Sequence, residues 1–292
     1  MNEVILELAI NGETRKARNS HAPRVPQEIA ADGIACLARG AGMIHNHIDD
    51  PMLAGEAAAD EYARGWADIL ASDPGAILCP TMAFGTDIEG RTSHFASCAS
   101  RHGARMAPLD PGSMNMALSG GSAISANMMS YINTYESIAS VLEVMSKLRL
   151  GASMGIYEPG FLRAAVAFHR AGKLPPGSFV KLYFFGGRNY FDGTPCVGFG
   201  LDPSAPALEA YLEIIGDSGL PWAAAVVGGC VFSSGMAKLA LERGGHIRLG
   251  LEDFAGDRAP SNLELLDEVV GLARSLGRSP AGSAGTARIL GL

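Results

Sequence analysis

The chain alternates short apolar runs with longer stretches whose apolar residues recur every three or four positions. The apolar runs predict buried strands, and the longer period predicts amphipathic helices between them. The predicted strands are Val4–Ile10, Ala41–His47, Ala76–Pro80, Arg105–Leu109, Gly151–Tyr157, Phe179–Phe185, Trp222–Val227 and His246–Leu251. The predicted helices are Pro26–Arg39, Ala57–Ala71, Thr134–Leu148, Leu208–Ile215, Met236–Arg243, Asn262–Leu276 and a last short one in Gly285–Leu292.

This alternation of strands and helices over 292 residues is what a (β/α)8 TIM barrel requires. A doubly wound α/β sheet is the competing fold. Neither a GxGxxG sequence after the first strand nor a Walker A sequence occurs, which argues against nucleotide-binding folds of that type. No repeat, low-complexity tract or linker interrupts the pattern. We therefore expect one α/β domain, residues 1–292, folded as a TIM barrel.

Charge and cysteine content narrow the class of protein. The net charge of −7 disfavours binding to nucleic acid or to an anionic membrane. No apolar run approaches the roughly 20 residues of a membrane span, and the first residues lack the basic region of a signal peptide. The five cysteines are scattered, without a CxxC pair, as is typical of reduced thiols. We expect a cytoplasmic enzyme acting on small molecules.

Two histidines at the end of the second predicted strand are the strongest candidates for a metal site. His45 and His47 are two residues apart, so their side chains share one face of a strand, roughly 7 Å apart. Glu252, at the end of the eighth predicted strand, is a candidate third ligand. Two imidazoles and one carboxylate, with coordination positions left open, are typical of a catalytic metal.

Further polar residues follow the other predicted strands. In a TIM barrel, catalytic residues lie where strands end and the following loops begin. The candidates at these positions are Glu13, Thr81, Ser113, Asn115, Glu158 and Asp253. The methionine-rich stretch Met114–Met129 is instead interpreted as core or interface packing.

These residues, in this order, resemble the β-keto acid cleavage enzyme family. The resemblance covers nearly the whole chain and is strongest in the ten residues Gly244–Asp253, which are similar to the family's GGHxRxGxED signature. His45-Asn46-His47 matches its HxH motif. The other similar segments are Ala9–Thr14, Val25–Ala30 and Pro111–Asn115.

The resemblance implies a TIM barrel with one zinc ion and a reversible Claisen-type exchange. A β-keto acid and acetyl-CoA, the cosubstrate, give a new acyl-CoA and acetoacetate. By the same resemblance, the zinc ligands are His45, His47 and Glu252, and Asp253, supported by Arg248, is the base that removes the α proton. A homo-oligomer, often a tetramer, is also implied.

Substrate contacts are implied at five positions. Thr81 and Ser113 match hydroxyl-bearing positions, Asn115 belongs to the same loop as Ser113, and Glu13 matches a residue that holds a substrate amino group. The family's acidic residue after the fifth strand falls on Gly155 here, and Glu158 lies three positions on. The acidic position is therefore either lost or moved to Glu158.

Strand parity adds two expectations about the interior. Residues 248, 250 and 252 share a face, so Arg248 and Glu252 are predicted to point inward, with Gly250 leaving space for Arg248. Glu7 replaces a small apolar residue of the family prototype. It is predicted either to face the interior and pair with Arg248 or to enlarge a polar pocket.

Two other classes of function compete with this interpretation. One is a different metal-dependent barrel enzyme, an amidohydrolase or a class II-type aldolase. An amidohydrolase normally places HxH after the first strand and further histidines after the fifth and sixth, which this chain does not. The other is a noncatalytic barrel that binds a keto acid or an acyl-CoA, and the intact set of His45, His47, Glu252 and Asp253 argues against it.

Overall fold

Eight parallel strands form a sheet that curls into a nearly closed barrel. A computed structural model of the protein describes residues 2–85, 87–118, 128–189 and 191–292. The order around the barrel is β3-β2-β1-β8-β7-β6-β5-β4, and Arg105 N donates to Leu78 O (3.3 Å) across the gap between β3 and β4. The barrel strands are β1 (Leu6–Ala9), β2 (Met43–His45), β3 (Leu78–Cys79), β4 (Met106–Leu109), β5 (Gly151–Ile156), β6 (Phe179–Phe185), β7 (Trp222–Val227) and β8 (His246–Leu249). The expected TIM barrel is confirmed.

Helices cover the outside of the barrel. Those in the described residues are α1 (Pro26–Arg39), α2 (Gly55–Ser72), α3 (Ile88–Thr92), α4 (Phe95–His102), α5 (Tyr135–Leu148), α6 (Pro159–Arg170), α7 (Ala205–Ile215), α8 (Met236–Glu242), α9 (Asn262–Ser275) and α10 (Gly282–Leu290). The helix α1 starts at a proline and ends before Gly40, whose φ of 112° suits a glycine. The side chains of Thr134 and Ser261 cap α5 and α9 by accepting backbone N–H groups.

The first predicted strand, Val4–Ile10, is divided in the structure. Glu3–Val4 pairs with Ser279–Pro280 outside the barrel, and only Leu6–Ala9 enters the barrel sheet. Between them, the backbone N–H of Ile5 donates to His246 Nδ1 at 3.0 Å. This contact explains why His246 is buried at the amino end of β8, far from the predicted metal ligands.

Several elements were not expected from the sequence. The helices α3 and α4 were not predicted, and Met114–Ala117 pairs with Met128–Tyr131 as an antiparallel hairpin above β4. The two strands of the hairpin contain the two ends of Met114–Met129, the stretch predicted to pack in the core or at an interface. Positions 119–127 of this stretch lie outside the described residues. Met128 and Met129 are exposed (43% and 36%), so this end is not part of the core of this chain, whereas Met114 at the other end is partly buried and packs against the core.

The barrel interior changes from apolar to polar along the strands. Its lower end is filled by a cluster that includes Ile5, Met43, Ile77 and Phe179. Nearer the carboxyl ends of the strands, the buried residues include the polar or charged Glu7, His45, Lys181 and Arg248 beside the small apolar cluster of Tyr183, Ala225 and Val227. Among the described helices, none combines the length and the apolar character needed to cross a bilayer. The polar end of the barrel is where a functional site is expected.

Candidate active site

Three predicted metal ligands converge at the carboxyl end of the barrel. His45 is the last residue of β2, His47 follows two positions later, and Glu252 lies in the turn after β8. Their ligand atoms all lie within 4.8 Å of one another. His45 Nε2 is 3.3 Å from Glu252 Oε2, and His47 Nε2 is 3.7 Å from Glu252 Oε1. All three are at least nine-tenths buried.

The other nitrogen of each imidazole ring is held from behind. His45 Nδ1 lies 3.1 Å from the carbonyl oxygen of Cys79, and His47 Nδ1 lies 3.2 Å from Glu13 Oε1. Because a carbonyl oxygen only accepts, Nδ1 of His45 carries the proton and Nε2 presents its lone pair. Histidines that bind metals are oriented in this way. The donor set therefore fits a divalent metal ion.

The surrounding carboxylates give the two histidines different proton affinities. Burial lowers the pKa of His45 despite the nearby Glu252. Burial also acts to lower the pKa of His47, but Glu252 and Glu13 outweigh it and raise that pKa to about 9. A metal ion held by these residues would displace this proton.

Asn11 and Gly12 build the support of His47 and Glu252. The fully buried Asn11 amide donates to Pro23 O and His47 O and accepts from the backbone N–H groups of Gly12 and His47, all at 2.8–2.9 Å. Gly12 has a φ of 51°, and a Cβ there would lie 2.3 Å from Glu252 Cγ. Glycine is therefore required at position 12 for Glu252 to pass beside the first loop.

The turn after β8 brings Arg248, Glu252 and Asp253 together. The prediction that Arg248 and Glu252 point inward holds, since Arg248 Nη2 lies 2.7 Å from Glu252 Oε1. The reason given for Gly250 was wrong, because β8 ends at Leu249. Gly250 has a φ of 141°, and a Cβ there would lie 2.1 Å from the carbonyl oxygen of Ala9. Contact with the β1 backbone, not space for Arg248, requires this glycine.

Arg248 is the centre of a buried charge network. It contacts Asp253 through Nε (2.9 Å) and Nη2 (3.1 Å), and Glu7 through Nη1 (2.8 Å). The Glu7–Arg248 pair was one of the two alternatives stated above. Lys181 Nζ lies 3.3 Å from the same Glu7 oxygen. Burial alone raises the pKa of Glu7, but Lys181 and Arg248 outweigh it and hold that pKa below its usual value.

The pKa of Asp253, which belongs to the same charge network, is shifted in the opposite direction. Burial, helped by the charge of Glu252, raises the pKa of Asp253 to about 6 despite the hydrogen bonds from Arg248. Both Asp253 oxygens face Arg248, and the residue does not line the large cavity described next. Arg248 therefore lies between Asp253 and the open part of the site.

A cavity of about 580 Å³ opens from His45, His47 and Glu252 toward the hairpin. Its walls are mainly apolar and aromatic, with Met82, Phe84, Tyr157, Tyr183, Phe185 and Phe199 among them. The charged side chains that line it are Arg91, Asp110, Lys181, Arg248 and Glu252. Such a volume suits a small-molecule ligand with a few polar anchor points.

The predicted substrate contacts divide into two groups. Thr81 and Asn115 line the cavity. Glu13, Ser113 and Glu158 do not: Glu13 lies behind His47, Ser113 Oγ accepts from Asn133 N (2.9 Å), and Glu158 Oε1 accepts from Gly200 N (2.9 Å). Glu13 therefore holds the His47 ring in place, and Ser113 and Glu158 hold loop backbone in place. Glu158 therefore does not replace, inside the cavity, the acidic residue that the family has at the position of Gly155.

The sequence analysis missed Lys181 and a cluster formed by Asp110, Tyr131 and Arg91. Tyr131 OH donates to Asp110 Oδ2 at 2.7 Å, and Arg91 donates to the same hydroxyl. Burial raises the pKa of Asp110 above its usual value. A Cβ at Gly155 would lie 2.5 Å from Asp110 Oδ1, so Asp110 occupies the space beside the expected acidic position. A charged residue inside the apolar strand β6 was the available signal for Lys181.

Comparison with known proteins identifies the family. A family model described as beta-keto acid cleavage enzyme matches residues 3–292. The chain belongs to the β-keto acid cleavage enzyme family. It is therefore an enzyme of that family, as the sequence motifs predicted.

Individual relatives agree with this assignment. The 3-keto-5-aminohexanoate cleavage enzyme of Fusobacterium nucleatum subsp. nucleatum is 27% identical over 286 residues, covering 96% of this chain and 95% of the relative. The 3-dehydrocarnitine:acetyl-CoA trimethylamine transferase of Rhizobium meliloti is 23% identical over 309 residues, covering 94% and 92%. The structure of ObcA in a ternary complex with a C4-CoA adduct and oxalate has a TM-score of 0.68 at 15% identity, covering 95% of this chain and 68% of ObcA. This last likeness shows the fold.

Proposed function

We propose that the protein is a zinc-dependent β-keto acid cleavage enzyme that uses acetyl-CoA as its cosubstrate. It converts a β-keto acid and acetyl-CoA into a new acyl-CoA and acetoacetate. The observation that carries the proposal is the convergence of His45, His47 and Glu252 at the inner end of the cavity, with Arg248 in contact with Glu252. Membership of the family supports the substrate class.

Zinc is the metal that this donor set favours. Two imidazole nitrogens and one carboxylate oxygen, held by Cys79 O and Glu13 from behind, are a common ligand set of catalytic zinc. When bound, zinc acts as a Lewis acid on the ketone and favours loss of the neighbouring proton. The protein fixes the three ligands and, through the buried site, limits access of water.

Asp253 is the proposed proton acceptor, and Arg248 positions it. A carboxylate whose pKa is about 6 is ionised at neutral pH and is still basic enough to take a proton. Arg248 fixes both Asp253 oxygens and also contacts Glu252, so it couples the base to the metal ligand. Transfer of the proton requires Asp253 to rotate past Arg248 toward the cavity.

The exchange then balances without another reactant. The carbon that has lost its proton attacks the acetyl thioester, forming a carbon–carbon bond and releasing the CoA thiolate. The thiolate attacks the original keto carbon, and the bond from that carbon to the α carbon breaks. The electron pair left on the α carbon takes back the proton that Asp253 accepted. The products are the new acyl-CoA and acetoacetate. The name of the Rhizobium meliloti relative, which includes acetyl-CoA, supports this cosubstrate.

The direct test is acetoacetate release from acetyl-CoA with cationic, neutral and anionic β-keto acids, measured with and without a zinc chelator. We expect release with at least one β-keto acid and its loss on chelation. Release that is insensitive to chelation contradicts the zinc assignment. No release from any acid by zinc-loaded protein contradicts the proposed reaction.

A further inference from the structure

Lys181 is a buried cation on the floor of the cavity. It is the only charged residue of β6, whose other residues are apolar or aromatic, and its side chain is 3% exposed. Lys181 nevertheless lines the cavity beside Arg248 and Glu252. A buried ammonium group is costly unless it is paired, so its partners decide its role.

Glu7 is the one hydrogen-bond acceptor of Lys181 among the described residues. The contact is 3.3 Å long, and the same Glu7 oxygen accepts from Arg248 Nη1 at 2.8 Å. An ammonium group has three N–H donors. Glu7 takes one of them, and two remain at a cavity wall. Donors in this position are satisfied when an oxygen-bearing ligand fills the cavity.

The charge around Lys181 favours an anionic ligand. The cations of the site are Lys181, Arg248 and Arg91, and the carboxylates are Glu7, Glu252, Asp253 and Asp110, which leaves one excess negative charge. A divalent cation held by His45, His47 and Glu252 reverses the sign and leaves one excess positive charge. The metal-loaded site is therefore complementary to one carboxylate.

We propose that Lys181 contacts the substrate by donating hydrogen bonds to the carboxylate of the β-keto acid, and that Glu7 positions both Lys181 and Arg248 for this purpose. The inference rests on the proposed function, because it takes a β-keto acid as the ligand. It adds a specific recognition element for the acid group, which a ketone without a carboxylate cannot use.

A binding experiment without acetyl-CoA separates this inference from the reaction. Zinc-loaded protein is titrated calorimetrically with 3-oxohexanoate and with its amide, 3-oxohexanamide. For Lys181→Met we expect the Kd of the acid to rise by about 10- to 100-fold, the usual effect of losing a charge-assisted hydrogen bond. The Kd of the amide should change by less than about 3-fold, which is within experimental scatter for an uninvolved group.

The competing explanation is that Lys181 only neutralises Glu7. The double variant Glu7→Gln/Lys181→Met removes both charges and tests it. If neutralisation is the whole role, the double variant binds the acid as well as Glu7→Gln does. We expect it to bind the acid at least about 10-fold more weakly than Glu7→Gln. This comparison also stands if Lys181→Met alone does not fold.

Equal changes in the Kd of acid and amide, or recovery in the double variant, overturn the role of Lys181. Absence of acid binding to the wild-type protein overturns it as well. Acid binding that depends on Lys181, without acetoacetate release when acetyl-CoA is added, supports this inference and contradicts only the proposed reaction.

Discussion

Substitution of Glu13 tests whether this residue supports a metal-binding histidine or contacts the substrate. The sequence resemblance assigned it to a substrate amino group, whereas the structure places its Oε1 3.2 Å from His47 Nδ1, behind the proposed metal ligand. Its other partner is Arg15, at 3.4 Å, whose side chain is half exposed. We therefore expect substitution of Glu13 to weaken metal binding and to leave the charge preference for substrates unchanged.

The expected magnitude follows from these contacts. A carboxylate that orients a metal-binding histidine typically contributes a factor of about 10 to 100 in metal affinity, or about 1.4–2.7 kcal/mol. Glu13→Ala removes the hydrogen bond to His47 and should show this whole effect. Glu13→Gln keeps an oxygen acceptor and loses only the charge, so its effect should be smaller. The exposed contact with Arg15 contributes little to stability.

Competition with a chromophoric zinc chelator measures the affinity of each variant. Arg15→Gln is the matched control, because it removes the other partner of Glu13 and leaves His47 untouched. Acetoacetate release from a cationic and from a neutral β-keto acid is measured on the zinc-saturated variants. Unchanged zinc affinity together with a selective loss of the cationic substrate would refute this account and restore the substrate role of Glu13.

Three further predictions concern the packing of the first loop against Glu252, the proposed base and the pH dependence of stability. Gly12→Ala places a Cβ 2.3 Å from Glu252 Cγ at a φ of 51°. We expect the free energy of unfolding, measured in urea, to fall by about 1 kcal/mol or more and the amount of bound zinc to decrease. Wild-type values for both quantities would contradict the packing described. Asp253→Asn should lower the turnover rate by about 100-fold or more with little change in the Kd of the β-keto acid. The control variant Asp110→Asn should keep the turnover rate within about 10-fold of wild type. A larger loss of turnover in Asp110→Asn than in Asp253→Asn would assign the base to Asp110. Burial raises the pKa of Asp32 from 3.8 to about 6. The contribution of the protonated Asp32 to stability is therefore present below pH 3.8 and is lost as the pH rises through 6. In thermal unfolding, Asp32→Asn should gain stability relative to wild type over this pH range, and parallel pH profiles of the two proteins would contradict a buried carboxylate.

The barrel and the convergence of His45, His47 and Glu252 were predictable because they depend on local patterns. Period-2 spacing puts His45 and His47 on one face, and parallel strands bring the carboxyl ends of β2 and β8 to the same end of the barrel. The strand β6 and the strand β7 were predicted with the bounds that the structure shows. These features require no knowledge of which loops meet.

The remaining features depend on contacts between segments distant in sequence. Strand parity does not extend past Gly250, since the close approach of the Ala9 carbonyl ends β8 there. Glu13 is bound to His47 rather than to the cavity because Asn11 ties the first loop to the end of β2. Asp110 precedes a proline and resembles a turn residue, and only the hairpin residue Tyr131 shows that it belongs to the cavity wall.

Zinc dependence of acetoacetate release tests the central claim most directly. Metal-free protein is titrated with zinc, and the initial rate of acetoacetate formation from acetyl-CoA and a β-keto acid is recorded against the zinc added per chain. The account predicts that the rate rises in proportion to zinc and levels off near one equivalent, and that His47→Gln, which replaces one ligand, abolishes this response. A rate that is the same without zinc, or no acetoacetate at full zinc occupancy, would contradict it.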